Sequence, residues 1–153
     1  MVEYPYVLVP GKLKKFFEHI QNAGVPPKIT IQYLTSVGYK SINDRAIIPV
    51  LKFINFLDTS GVPLERYTEF HNKKIAGMVM ANSLKAAYKD LFDTYPDAYR
   101  KDDEALRNYF RTHTSAGDQV VKATVATFKA LCELADFEAK TEEPTVLTLT
   151  PSE

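Results

Sequence analysis

Three short amphipathic segments before residue 57, a turn-rich stretch with strand chemistry directly after them, and a second run of helical periods to residue 137 predict a mainly α fold with one small β-hairpin. Three helices followed by a hairpin is the order of a winged helix-turn-helix, and the later helices predict a second, winged-helix-like unit. The expected division is a winged-helix domain over 1–73, a second helical unit over 74–137, and a flexible or strand-forming tail over 138–153.

The first residues, "YPYVLVPGK", are expected to be extended, because proline removes a backbone donor and pushes the residue before it out of helical geometry. Leu13, Phe16, Phe17 and Ile20 then recur at helical spacing, predicting a helix from about Lys12 to Ala23 that Gly24 ends. Pro26 and Pro27 suit the opening of a short second helix, roughly Lys28 to Thr35, closed by Gly38. In "SIND", Ser41 and Asp44 have the spacing of a capping box, so a third helix should begin there. Its apolar stripe is Ile47, Val50, Leu51, Ile54 and Leu57. Pro49 within that stripe predicts a short turn to Ile48 and a second segment with the proline in its first turn.

The stretch "FLDTSGVPLERY" reads as two short strands around a tight turn, a wing over 57–67, with Thr68 capping the next helix. A long amphipathic helix is expected over 69–95, broken near Gly77. "DTYPDAYRKDD" is a connector, and a helix follows from Asp103 to Arg111. Ser115 and Asp118 repeat the Ser-x-x-Asp start, and the last helix carries Val121, Val125, Phe128, Leu131 and Cys132 on one side. The blocks "YLTSVGYKSIND" and "YFRTHTSAGD" each precede a long helix, a weak echo between the halves. In the tail, "TVLTLT" alternates as a strand does and is suited to pairing with another chain's edge.

With 45% hydrophobic and 25% charged residues, the chain has ample material for a packed interior. Its longest apolar runs are far too short to cross a bilayer, and the first residues lack the basic start of a signal peptide. One cysteine, Cys132, excludes an internal disulfide and fits a reducing cytoplasm. The net charge of +0 argues against strong non-specific nucleic-acid binding, but its distribution is uneven. Residues 1–52 hold seven Lys and Arg against three Asp and Glu, a net +4, and the remainder is correspondingly −4.

Four blocks in order, "YPYVLVPGKLKKFF", "NDRAIIPVLKFINFLDTSGVPLERY", "LFDTYPDAYRKDDEALRNYFRTHT" and "ATFKALCELADF", make the chain resemble a prokaryotic family known only as a domain of unknown function, number 5343. The resemblance spans Tyr4 to Phe137. It implies a mostly helical, winged-helix-like cytoplasmic protein and carries no activity and no catalytic residues with it.

The residues themselves offer little to an enzyme. There is no Gly-rich phosphate loop, no GxSxG elbow and no HExxH. His19, His71 and His113 stand far apart, and His113 is the one expected as a buried, hydrogen-bonded imidazole. The carboxylates of "DTYPDAYRKDDE" lack EF-hand spacing and read as turn formers. Cys132 reads as an inert core thiol. No catalytic residue, metal or cofactor is therefore expected. In a helix-turn-helix the second helix enters the major groove. Ser41, Arg45 and Lys52 would share its outer face and Asn43 its start, with Arg suited to guanine and Asn to adenine. Lys28 and Lys40 suit phosphates, and Arg66 on the wing suits the adjacent groove. The expected function is thus duplex DNA binding by a regulator or accessory factor, as a dimer, through helix 41–56 and the wing. The rival is a protein-interaction or scaffold module using the same surface.

Overall fold

The computed structural model describes residues 3–138, and the tail expected as a flexible or pairing strand lies outside them. Within the described residues the protein is all-α: eight α-helices, two short 3-10 turns and no strand. The helices are α1 (Pro10–Asn22), α2 (Ile31–Ser36), α3 (Ile47–Phe53), α4 (Glu65–Glu69), α5 (Ala76–Ala87), α6 (Lys89–Thr94), α7 (Asp103–His113) and α8 (Asp118–Glu133).

Helix α1 begins two residues before the sequence suggests, because Pro10 occupies a first-turn position where its missing N–H costs nothing. Leu13, Phe16, Phe17 and Ile20 are buried as expected. The start of α2 moves the other way. The two prolines do not open it; Thr30 does, its hydroxyl accepting from Tyr33 N–H at 3.0 Å. The residues before it stay non-helical, and Ile29 N–H donates to Gly61 O at 2.8 Å.

At "SIND" the capping box forms: Ser41 Oγ accepts from Asn43 N–H, and Asp44 Oδ2 accepts from Ser41 N–H, both at 3.1 Å. The turn that follows, Ile42–Ala46, is 3-10, and α3 starts at Ile47 with Pro49 in its first turn. The helix stops at Phe53, and Asn55 takes a positive φ of 63°.

The wing expected over 57–67 does not form. Leu57 and Pro63 meet in one isolated antiparallel bridge, and no ladder grows from it. Pro63 has no N–H to extend pairing. Asp58 draws the loop onto itself, its Oδ1 accepting from Ser60 N–H at 2.8 Å and Val62 N–H at 3.0 Å. The expected second strand is instead the helix α4. Tyr67 and Phe70, three residues apart, both reach the core, which a helix allows and a strand's two-residue period does not. Thr68 therefore lies inside a helix rather than capping one.

The long helix expected over 69–95 is two, divided at Tyr88 and not at Gly77. Gly77 sits in the first turn of α5 for a packing reason. Asp136 N–H donates to Gly77 O at 2.8 Å, and a Cβ on Gly77 would stand 2.9 Å from Asp136 Cβ. Ser115 does not cap α8; Gly117 occupies that position, and Asp118 in the first turn meets Arg111.

A single buried cluster runs from Tyr4 to Leu131. Its centre is aromatic: Tyr4 stacks on Tyr88 at 5.5 Å and meets Phe53 and Phe110 edge-on. The segment before α1 is thus anchored at Tyr4 and at Val7, whose N–H donates to Thr127 Oγ1 on α8 at 2.9 Å. Among the described residues no helix is long and apolar enough to cross a membrane.

Candidate functional site

The turn at 40–46 and the helix behind it are positioned by Asp44. This carboxylate is buried, closes the capping box, and accepts from Lys12 Nζ through both oxygens at 3.0 and 3.1 Å. Its charge is therefore turned inward and matched by α1. What remains outward at the turn is Lys40, Ser41, Ile42, Asn43 and Arg45, all exposed. No carboxylate of the described residues pairs with Lys40 or Arg45.

The expected DNA-contacting residues are not one continuous face. Ser41, Arg45 and Lys52 share a side only on an uninterrupted α-helix. The 3-10 turn advances three residues per turn rather than 3.6, so the alignment across Ala46 is lost. Asn43 and Lys52 instead line one groove, and Arg45 lies outside its lining. Lys28 stands at the loop that replaces the wing: its Cγ is 3.5 Å from where a Gly61 Cβ would lie. The backbone N–H groups of the loop, led by Val62, hold the Asp58 carboxyl below its usual range, with Lys28 adding to the effect.

Arg66 is the residue placed furthest from its expected role. It sits on α4, and its Nη1 donates to Ser83 Oγ at 3.1 Å. Ser83, fully buried on α5, in turn donates to Ile54 O at 2.6 Å. The guanidinium thus serves the carboxyl end of α3, where a cation is favoured.

The groove is the feature that sequence reasoning missed. It has a volume of about 760 Å³ and lies between residues 3–8 and the 42–53 segment. Tyr6, Leu8, Ile42, Pro49 and Phe53 supply its apolar lining. Leu8 is 59% exposed and Ile42 71%, so each wall of the groove carries an exposed apolar side chain. The sequence signal was present in "YPYVLVP", too apolar for a solvated leader, but only the fold brings it beside Ile42.

The histidines do not converge. His19 Nε2 lies 2.7 Å from Tyr33 Oη, and burial lowers its pKa. His71 bridges to the carbonyls of Ala23 and Tyr67. His113 bonds Tyr109 O at 2.8 Å and stacks on that ring, but it is exposed rather than buried. Among the described residues no group of three or more His, Cys, Asp or Glu side chains is arranged to hold a metal ion. Burial pushes the Cys132 thiol up to about 12.

Compared with known families, residues 5–142 match the model described as "Family of unknown function (DUF5343)". The chain belongs to this family. Membership confirms the resemblance drawn from the four sequence blocks and brings no activity with it. No curated protein and no solved structure matches the chain.

Proposed function

We propose that this member of the family is a winged-helix-like, non-enzymatic cytoplasmic protein that binds duplex DNA, as a dimer, through the 40–46 turn and α3. The winged-helix reading is supported by element order: α1, a non-helical stretch whose Ile29 bonds to Gly61, then α2, α3 and the 55–64 loop. The 55–64 loop is not a wing, and Lys28 stands beside it.

The observation that carries the proposal is the inward Asp44. With that carboxylate matched by Lys12, the exposed end of the helix pair presents Lys40, Asn43 and Arg45 without a negative charge among them. Arg and Asn there suit base edges and Lys40 and Lys28 suit phosphates. The test is anisotropy of a labelled mixed-sequence duplex titrated with the protein and with a Lys40→Ala, Arg45→Ala variant. Salt-sensitive binding lost in the variant supports the reading, and no binding at low salt overturns it.

A second reading, a protein-interaction module, is favoured by a different observation: the apolar groove flanking the same turn. A duplex has little use for Leu8 and Ile42, whereas an apolar peptide does.

A further inference from the structure

The two walls of the groove carry opposite charges. Glu3 stands on the leading segment and Lys52 on α3. Neither has an oppositely charged partner among the described residues. Each wall also bears an exposed apolar side chain, Leu8 on one and Ile42 on the other. Between them lies a hollow whose lining includes the rings of Tyr6 and Phe53. An acidic peptide laid there would bring like charge to Glu3, and a basic one would bring it to Lys52. A neutral apolar peptide would cover both charges and pair neither, which costs free energy. A surface that holds both an acid and a base, and both projections and a hollow, is complementary to itself. Self-complementarity is what a two-fold interface requires, since residue i meets residue j there and j meets i.

We propose that two copies of this chain pair through this groove about a two-fold axis. Glu3 of one copy meets Lys52 of the other, and the same pair recurs across the axis. Leu8 and Ile42 of each copy enter the hollow of the other. Burial of these apolar groups drives the association, and the two ion pairs set its register. The inference deepens the DNA reading, on whose dimer it rests, by naming the face that pairs. Lys40 and Arg45 lie outside the groove's lining, so the outward end of the turn stays available to a duplex. Lys52 is then held by Glu3, and Lys28, Lys40 and Arg45 remain for the nucleic acid. The lining is small beside the roughly 20–30 residues a side of a standard interface, so a dissociation constant on the order of 10 µM is expected.

The test is sedimentation velocity of the full chain without DNA, over a concentration series, beside the variants Glu3→Lys and Lys52→Glu. Each variant sets like charges against each other at both pairs of its own dimer, and association should weaken about tenfold or more. An equimolar mixture of the two variants should restore it, because in the mixed dimer each reversed position faces its opposite. Charges that act within one chain, or toward a different partner, give no such rescue. A chain carrying both reversals should pair as the wild type does, which also shows that neither reversal harms the fold. Ile42→Asp, at an exposed position, should weaken pairing in every combination. A wild-type chain that stays monomeric well above the expected constant overturns the proposal. So do single variants that associate undiminished, a mixture no better than its parts, or Ile42→Asp without effect. The DNA contacts are judged separately. A monomer that binds duplex through Lys40 and Arg45 overturns the pairing alone, and a dimer that binds no duplex overturns those contacts alone.

Discussion

Tyr88 is fully buried, and its hydroxyl has no hydrogen-bond partner among the described residues; Tyr67 is the same. Burial raises both phenols far beyond their usual range, which keeps them neutral at any accessible pH. A neutral hydroxyl that bonds nothing costs its desolvation, so Tyr88→Phe should leave stability unchanged or raise it by about 1 kcal/mol, measured by urea unfolding. Ser83→Ala should do the opposite. It removes the hydroxyl that joins Arg66 to Ile54 O, stranding a buried carbonyl, and should cost about 1–3 kcal/mol. His19 gives a pH signature at this scale. Its folded pKa is lowered, so the unfolded chain binds the proton more readily. Its contribution is intact above the ordinary value near 6.5 and is lost as pH falls below that value toward the lowered folded pKa. Stability should therefore decline as pH falls below about 6.5, and His19→Gln should flatten that decline in thermal melts.

Glycines decide two joints between elements. Gly77 lets Asp136 close on the first turn of α5, and Gly77→Ala forces a Cβ into that contact. A cost of about 1–3 kcal/mol is expected, read as a lower urea midpoint with an unchanged m-value. Gly61 has φ +91° and stands against Ile29 O, where a Cβ would come within 2.8 Å. Its substitution by alanine should free the 58–62 loop from α2's approach, which loss of amide-exchange protection at Ile29 would report. These joints explain what the sequence could and could not disclose. The spacing of Leu13, Phe16, Phe17 and Ile20 names the core face of α1 because the period is local. The Ser41–Asp44 capping box was legible for the same reason, as was the place of Pro49. The wing was misread because "VPLERY" satisfies strand chemistry locally, whereas Tyr67 and Phe70 are claimed by the core, where Phe70 meets Phe17, a residue far away in the chain. The break at Tyr88 was hidden likewise: its ring lies between Tyr4, Phe53 and Phe128, partners from three other regions.

At the scale of the molecule, the 40–46 turn is outward and basic because its one acid, Asp44, is buried and matched by Lys12. If Lys28, Lys40, Arg45 and Lys52 each neutralise a phosphate, log K should fall with log salt at a slope of roughly −3 to −4. Each Lys→Ala substitution should then lessen the slope by about one, while Arg66→Ala, engaged with Ser83, should leave it unchanged and lower stability instead. Of the candidate site, the residue types were legible and their grouping was not. Asn43 and Lys52 meet at a groove whose other wall begins at Glu3, some forty residues earlier, and no local period encodes that neighbourhood.

The bond from Val7 to Thr127 spans 120 residues and is the contact that seats the leading segment on the last helix. During synthesis, therefore, Val7 is made 120 residues before the Thr127 hydroxyl that it bonds. Until α8 has been made, Val7 lacks its hydrogen-bond partner, and the apolar run "YVLV" has no α8 surface to settle on. A nascent chain halted before residue 127 should accordingly be a good client for chaperones that grip apolar extended peptides, and release from them should coincide with the appearance of α8.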